Sequence, residues 1–294
     1  MDLVSAPLAM FVQLRQIARF LRNHPLTRDH RAAGFVRLFR WQIESRLRRE
    51  VIVPWVDGTR LAARRGMTGA TGNIYAGLHE FADMAFTLHF LRPDDLFLDV
   101  GANIGSYTLL ASGVCKARTI AFEPDPQTMA LLRRNIDLNG LDGRVLLEQT
   151  AVGAEDGEVE FTTGLDTCNH VTKGNEGRTQ RVAMLTLDRV AGLTPPIMIK
   201  VDVEGYEADV FRGARAVVDS PLLKAVITEG QRAADIALLL SAGFAQYEYD
   251  PFQRVLNPAA GYRSRNNALF LRDSSFAAAR LRAASSFQVL GYTI

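Results

Sequence analysis

A glycine-containing loop and an acidic residue follow two successive apolar runs of the sequence. The loop starts at Asp99 and contains Gly101, Asn103 and Gly105, and Glu123 comes 24 residues after Asp99. Glycines at such a turn let the backbone approach a ligand closely before a helix begins. An acid about twenty residues further on can accept both hydroxyls of a ribose. The spacing therefore predicts a site for a ribose-containing ligand.

The same loop argues against the common pyrophosphate and phosphate motifs. A dinucleotide fingerprint starting at Gly101 needs glycine where Asn103 and Ser106 stand, and no Gly-Lys-Ser/Thr closes the loop as in a P-loop. A ligand with a ribose but no pyrophosphate fits best. S-adenosylmethionine is such a ligand, and its positive charges suit a cleft lined by carboxylates. We expect it as the cofactor, with Asp99, Gly101, Asn103, Gly105 and Glu123 among its contacts.

A second group of charged residues could act on an acceptor. Lys200, Asp202 and Glu204 alternate at the end of an apolar run, so a strand would turn all three to one face. Glu229 ends the next apolar run, and His170 lies in a polar segment that could carry a general base. Asp202, Glu204, Glu229 and His170 are the candidate catalytic residues. The alternatives are a buried Lys–carboxylate pair and a solvent-exposed histidine. Three loosely spaced acids are a weak metal signal, and we predict no metal.

The segment before the glycine loop contains two further candidates. Gly66 to Gly77 is rich in Gly and Thr, which predicts a loop leading into a helix from Leu78 to Leu91. A lid packed there could present Tyr75 or Glu80 to the methionine end of the donor. The alternative is that the segment only caps this helix.

After Pro93 short apolar runs alternate with helical segments, which is typical of a doubly wound, mostly parallel α/β sheet. In such sheets ligands bind beyond the carboxyl ends of the strands, where the charged residues above are expected to lie. Two extra strands, Glu158–Thr162 and Arg181–Leu187, are predicted around a polar loop from Gly164 to Arg178. The main predicted strands are Leu96–Val100, Thr119–Glu123, Arg144–Val152, Ile197–Val203, Ala225–Glu229, Phe244–Tyr249 and Ala268–Leu271, with helices from Ser106 to Val114 and from Asp125 to Asn139.

The first fifty residues differ in charge from the rest. They contain ten arginines and four acidic residues, a net charge of +6 in a chain whose total is +2. Two amphipathic helices are predicted, Phe11 to Leu21 and Phe35 to Glu50, each apolar on one side and arginine-rich on another. Such helices can cap a core, form a homo-oligomer or lie on an acidic membrane surface, so an anionic surface is an expected partner. A solvated helix face is the alternative.

Composition also bounds the compartment. The two cysteines, Cys115 and Cys168, are too few for a disulfide scaffold and lack metal-site spacing, which favours a reducing environment. No run reaches about 18 apolar residues, and Asp2 stands where a signal peptide wants basic residues. We expect a cytoplasmic protein without a membrane span.

The motifs, in their order along the chain, resemble those of the FkbM family of methyltransferases. The resemblance covers roughly Leu96 to Leu271 and implies a Rossmann-like class I methyltransferase fold that uses S-adenosylmethionine. It adds Pro124, Ala151, Val152 and Asp202 to the expected donor contacts and implies O-methylation of a hydroxyl on a sugar or secondary metabolite. The matching segments are Phe97–Gly105, Ala121–Pro126, Asn135–Asn139, Ala151–Gly153, Thr186–Asp188 and Lys200–Glu207.

This interpretation divides the chain into three parts: a basic helical extension with a lid segment (1–92), the methyltransferase domain (93–273) and a C-terminal tail (274–294). The expected partner is a small-molecule or carbohydrate acceptor. Two alternatives belong to other classes. One is a nucleic-acid modifying or binding protein that uses the N-terminal arginines, against which stands the lack of aromatic residues among basic ones in the core. The other is a non-catalytic scaffold that only binds the donor.

Overall fold

A computed structural model of the chain describes residues 15–162, 170–172, 178–191, 194–229, 233–259 and 267–294. The start of the first predicted helix, Cys168 and most of the predicted polar loop lie outside these ranges. Among the described residues, no helix is both long enough and apolar enough to cross a membrane.

The order of elements is helical at first and then alternates between strands and helices. The elements are α1 (residues 15–23), α2 (Arg31–Leu47), β1 (Val51–Pro54), a 3-10 turn (Val56–Gly58), β2 (Arg60–Ala63), α3 (Thr68–Ala76), α4 (Phe81–Phe90), β3 (Leu96–Val100), α5 (Ser106–Thr108) with a π-helical continuation (Leu109–Val114), β4 (Arg118–Phe122), α6 (Pro126–Leu138), β5 (Val145–Glu148), β6 (Ala151–Val152), β7 (Gly157–Thr162), β8 (Thr179–Leu185), α7 (Leu187–Ala191), β9 (Met198–Val201), α8 (Glu207–Arg212), α9 (Arg215–Asp219), β10 (Ala225–Thr228), α10 (Ala233–Ser241), β11 (Ala245–Asp250), β12 (Val255–Pro258), β13 (Ala268–Leu271), α11 (Ser274–Arg282), β14 (Gln288–Val289) and β15 (Tyr292–Thr293).

The main sheet confirms the predicted Rossmann-like α/β class. Its strand order in the described chain is β12-β11-β13-β10-β9-β3-β4-β5. The pairs from β10 through β5 are parallel, whereas β13 runs antiparallel to both β10 and β11. The chain proceeds from β3 to β4 and β5 on one side and later places β9 on the other side of β3. The strand order therefore reverses between β3 and β9, where open α/β sheets form their ligand crevice.

Burial explains why the central strands are continuous apolar runs. Every residue of β9, β10 and β13 is buried, as expected for strands covered by helices on both faces. One apolar cluster joins the sheet to α4, the π-helix and α11, and a second joins it to α7, α8 and α9. The carboxyl ends of β3, β4, β9 and β10 remain at one edge, next to the residues predicted to bind and react.

A smaller sheet corrects one strand prediction. Arg144–Val152 is not a single strand, because only β5 pairs with β4 in the main sheet, whereas β6 leaves it and pairs in parallel with β8. The second extra strand that the sequence predicts is β8, which pairs with β7 in antiparallel fashion. This three-stranded sheet stands beside the carboxyl end of β4.

The N-terminal extension packs directly on the domain that follows it. Leu21, Leu38 and Trp41 share one apolar cluster with Leu132 and Ile136 of α6. Below them, β1 and β2 form an antiparallel hairpin that the sequence did not predict. The boundary at residue 93 thus marks where the methyltransferase motifs begin. We propose that residues 15–92 and the domain that follows share one hydrophobic core.

Two carboxamides, one in α6 and one at its C-cap, hold this hairpin. Asn135 Oδ1 accepts the N–H of Ala62 at 2.7 Å and its Nδ2 donates to the Ala62 and Ile104 carbonyls. Asn139 Oδ1 accepts the N–H of Arg60 at 2.8 Å and its Nδ2 donates to the Arg60 carbonyl. The two side chains pair with alternate residues of β2 as a neighbouring strand would.

Two helix predictions differ from the structure. The prediction of a loop from Gly66 to Gly77 is wrong, because most of this segment forms α3. A β carbon at Gly72 would lie 2.5 Å from Cγ of His79. This glycine therefore permits close packing and does not form a turn. The face assigned to α2 is also different. Leu38 is buried with Trp41, whereas other apolar residues of the same helix face outward, because α2 carries two apolar faces and the core covers one.

Candidate active site

The glycine loop joins the ends of β3, β4 and β9. The N–H groups of Gly101 and Ala102 both donate to the Phe122 carbonyl at the end of β4, at 3.1 and 2.9 Å. Gly101 has a φ of +79°, and a β carbon there would lie 1.9 Å from the Asp202 carbonyl oxygen. No other residue fits this position, because a side chain would force β3 and β9 apart. Gly105 precedes α5 as its N-cap.

Glu123 is buried at the end of β4 and is fixed by backbone groups. Its Oε2 accepts the N–H of Asn103 at 3.0 Å, and its Oε1 accepts the N–H of Asp125 at 2.9 Å. Burial raises the pKa of Glu123 to about 7, although these two hydrogen bonds act in the opposite direction. Each oxygen keeps a second lone pair, so the carboxylate can accept a pair of hydroxyls.

An apolar slot extends from Glu123 between the two sheets. Pro124, Ala151 and Val152 line it, together with Phe161 and Tyr206 on the other side. A planar, largely apolar group of a ligand fits between such walls.

Thr150 adds a polar group to this slot. It lines the same cavity, and its Oγ1 is buried without a hydrogen-bond partner among the described residues. A buried hydroxyl without a partner costs free energy unless a ligand or water satisfies it. The slot therefore combines apolar walls with one polar contact that is free for a ligand.

Asp99 lies at the end of β3, between the two halves of the cleft. Its side chain is 1% exposed and accepts a hydrogen bond from the Thr108 hydroxyl at 2.6 Å. Burial raises the pKa of Asp99, and the nearby positive charge of Lys200 partly offsets this. Asp99 is thus a structural partner of α5 as well as a lining residue of the cleft.

Lys200 and Asp202 form an ion pair beside Asp99. Lys200 Nζ lies 2.5 Å from Asp202 Oδ2 and 4.6 Å from the centroid of the Tyr107 ring. Burial alone would lower the pKa of Lys200, but Asp202 and Glu80 outweigh it, and the net shift is upward. Burial also disfavours the charged form of Asp202 and would raise its pKa. The positive charge of Lys200 outweighs burial, and the net shift in the pKa of Asp202 is downward. Asp202 is therefore an ionised carboxylate that both pairs with Lys200 and lines the cleft.

Three carboxylates meet at the mouth of the cleft. Oxygen atoms of Asp202, Glu204 and Glu229 all lie within 4.8 Å of one another, which is close enough to share either protons or a cation. A hydrogen bond to Asp202 and burial raise the pKa of Glu229 to about 8. Burial and the charge of Asp202 raise the pKa of Glu204. The opposite shifts of Glu229 and Asp202 indicate that the two carboxyl groups share a proton, which is held mainly on Glu229.

His170 lies near this carboxylate cluster. Its charge lowers the pKa of Glu204, which is otherwise raised. Its backbone N–H donates to the Thr162 hydroxyl at 2.8 Å, which fixes the position of the residue against the end of β7. The structure thus brings all four predicted catalytic residues to one region.

The wall opposite the carboxylates comes from the segment before the glycine loop. Glu80 accepts hydrogen bonds from the Tyr107 hydroxyl at 2.7 Å and from Asn267 Nδ2 at 2.8 Å. Asn73 of α3 is buried and donates to the Ser106 hydroxyl at 2.9 Å. Of the two candidates in this segment, Glu80 lines the cleft. Tyr75 does not, because it is buried in the apolar cluster between α3 and α6.

Several lining residues were missed at the level of sequence. The sequence indicates Lys200 only as a partner of the carboxylates, and it does not single out Asn73, Tyr107 or Thr150 as site residues. Tyr107 lies two positions after Gly105, at the start of the helix that follows the loop. This position alone indicates that its side chain is close to the ligand site. Asn73 lies within the segment taken for a loop, and only the folded α3 brings it to the cleft.

Comparison with known proteins places this cleft in a described domain family. A profile of the Methyltransferase FkbM domain matches residues 99–263, which contain the glycine loop, Glu123 and the three carboxylates. A similar protein is the hexuronic acid methyltransferase AglP of Haloferax volcanii, 31% identical over 156 residues, which are 51% of this chain and 63% of that protein. The alignment thus spans less than two thirds of that relative.

A second similar protein is the 31-O-demethyl-FK506 methyltransferase FkbM of Streptomyces tacrolimicus. It is 30% identical over 215 residues, which cover 58% of this chain and 82% of that protein. Among solved structures, a SAM-dependent methyltransferase from Agrobacterium tumefaciens aligns with a TM-score of 0.43 and 8% identity over 77% of this chain and 71% of that one.

Proposed function

Because the chain belongs to the FkbM family of methyltransferases, we propose that it transfers a methyl group from S-adenosylmethionine to a hydroxyl of a sugar or secondary-metabolite acceptor. The observation that carries the proposal is the ionised Asp202 at the cleft, held by Lys200 at 2.5 Å. A hydroxyl acceptor must lose a proton during transfer, and an ionised carboxylate in the cleft can receive it.

The residues of the donor half fit S-adenosylmethionine. Glu123 has two free lone pairs for the ribose hydroxyls, and the slot beyond it offers apolar walls for an adenine with the unpartnered Thr150 hydroxyl at its polar edge. Asp99 and Glu80 line the remainder of the cleft, where they supply negative charge opposite the positively charged end of the donor. The slot alone would also accept an ordinary nucleoside, so the acids at this end support the sulfonium compound.

The chemistry that the donor supplies when bound is a methyl group on positively charged sulfur, which is a good leaving group. The protein therefore has two tasks, to align the acceptor oxygen and to take its proton. Asp202 has a lowered pKa, so it remains ionised and accepts a hydrogen bond from the hydroxyl in the ground state. The proton passes to Asp202 as the oxygen bonds to carbon, because the hydroxyl becomes strongly acidic at that stage.

The charge around Asp202 favours a neutral hydroxyl over an acceptor carboxylate. A carboxylate acceptor needs no base, and Asp202 and Glu204 would repel it on entry. The name of one relative refers to a hexuronic acid, which has several hydroxyls beside its carboxylate, and that of the other refers to an O-demethylated compound. This supports an oxygen acceptor and leaves its identity to experiment.

The test uses the purified full chain, isotope-labelled S-adenosylmethionine and a panel of hexoses, hexuronic acids and hydroxylated secondary metabolites. We expect a product heavier by one methyl group that survives mild alkali, since a methyl ether is stable where a methyl ester is hydrolysed. The variant to compare is Asp202→Asn, and Glu158→Gln is its matched control, because Glu158 is an exposed carboxylate of β7 that does not line the cleft. Transfer only to carboxyl groups, to nitrogen or to an oligonucleotide would contradict the proposal.

A further inference from the structure

Helix α2 exposes a stripe of large apolar side chains. Val36, Phe39, Ile43 and Leu47 are 65%, 66%, 59% and 80% exposed. Their spacing of three or four residues puts them on one face of the helix. The opposite face, with Trp41, is buried against the core. The exposed stripe therefore contributes nothing to the packing of the described fold, and isolated surface hydrophobes do not normally form such a row.

Arginines border this stripe on both sides. At 100° per residue, Arg40 and Arg46 fall on opposite flanks of the row, and the exposed Arg48 and Arg49 follow the end of the helix. Of the acids nearby, Glu44 already pairs with Arg40 at 2.9 Å. The border of the stripe thus carries net positive charge.

Glu50, the next acidic residue, does not neutralise this border. It pairs with Arg64 at 3.7 Å and with Arg134 at 3.1 Å, both outside α2. The arginines at the end of the helix therefore keep their charge available for a partner outside the described chain.

The apolar stripe together with its arginine border distinguishes between three possible partners: a second copy of the chain, a nucleic acid and a lipid surface. A second copy related by two-fold symmetry would set the same arginine borders against each other, which costs free energy. A nucleic acid would satisfy the arginines but leave the apolar row in water. A basic helix with a continuous apolar face matches the interfacial region of an anionic bilayer, where apolar side chains enter the acyl boundary and arginines reach the phosphates.

We propose that the exposed face of α2, formed by Val36, Phe39, Ile43 and Leu47 and bordered by Arg40 and Arg46, docks the protein on an anionic lipid surface. The docking is peripheral, because α2 lies across the surface and its opposite side remains packed on the core. It needs neither donor nor acceptor, so it can be measured without methyl transfer.

The experiment is flotation of the full chain with vesicles of phosphatidylcholine alone or mixed with about 30% phosphatidylglycerol. We expect recovery with the anionic vesicles, little with the neutral ones, and release as salt is raised, since screening weakens the arginine contribution. Phe39→Gln combined with Ile43→Gln should weaken partitioning about tenfold or more, because two large apolar contacts are lost. Arg46→Gln should weaken it about fivefold.

Matched controls separate docking from general effects. Leu222→Gln removes a 58% exposed leucine outside α2, and Arg181→Gln removes an exposed arginine of β8. Both should float like the unmodified chain. Circular dichroism should report the same melting temperature for every variant, because all these side chains are exposed.

Three outcomes would overturn the proposal. One is failure of the unmodified chain to float with anionic vesicles. Another is equal flotation of the Phe39/Ile43 variant. The third is a dimer in light scattering that this variant abolishes, which would assign the stripe to a second copy of the chain.

Discussion

Two carboxylates that line one cleft show how surroundings divide the work between like residues. Glu123 is held by backbone N–H groups, and burial raises its pKa to about 7. Asp202 is held by the Lys200 ammonium, which lowers its pKa. Backbone donors fix a position and leave lone pairs free for hydroxyls, whereas a side-chain cation fixes a charge. The first arrangement suits binding and the second suits proton transfer.

Asp202→Asn is expected to have the largest effect, and it tests whether Asp202 accepts the proton. The amide keeps the shape but cannot take the proton, so turnover should fall by about 10²–10⁴, the range for loss of an acid–base group. Donor affinity measured by calorimetry should change far less than turnover, although Asp202 also lines the donor slot. Near-normal turnover in a folded variant would reduce Asp202 to a structural partner of Lys200 and move the role to Glu204, Glu229 or His170.

Glu123→Gln tests the binding end. An amide can accept at only one atom, so donor affinity should fall about tenfold or more, since hydrogen bonds to a charged group contribute ~1.5–3 kcal/mol each.

The pH dependence sharpens this test. Because the pKa of Glu123 is raised to about 7, lowering the pH through 7 protonates it and removes an acceptor. The affinity of the natural protein should therefore fall between pH 8 and 6, and that of the Gln variant should not. Unchanged affinity in the variant would exclude the ribose role.

Glu229→Gln is expected to have the smallest effect, and it tests whether Glu229 controls the pKa of Asp202. In the natural protein, ionisation of Glu229 at about pH 8 removes the hydrogen bond that lowers the pKa of Asp202. Asp202 then becomes more basic, so turnover should rise a few-fold as the pH passes about 8. The amide keeps a donor at every pH and should flatten this rise. A rise that persists in the variant would assign it to another group.

The same contrast explains what could be predicted from the sequence. The donor end depends on local geometry, and the strand, glycine loop and helix around Gly101 were predicted because neighbouring residues fix them. At the acceptor end the spacing of Lys200 and Asp202 predicted their common face but left a structural pair and a reactive group as alternatives. Their pKa values depend on Glu229 and Glu80, which come from distant parts of the chain.

Elements that depend on tertiary contacts were not predictable in this way. In α3 the composition suggested a loop, because the need for Gly72 arises from His79 in the folded protein. The faces of α2 show a different limit: helical periodicity predicted the apolar residues but not which face the core covers. The hairpin of β1 and β2 was missed because it is stabilised by side chains of α6 rather than by a third strand.

That hairpin has a consequence for how the molecule opens. A two-stranded hairpin is marginally stable alone, yet the amide hydrogens of Arg60 and Ala62 are bound by Asn139 and Asn135 on a core helix. Solvent exchange at these two amides therefore requires the hairpin and α6 to separate, and α6 also carries Leu132 and Ile136 of the apolar cluster that it shares with the N-terminal segment. We therefore expect these two amide hydrogens to exchange slowly and to become exposed together with α6, so that the hairpin and the methyltransferase domain open as one cooperative unit.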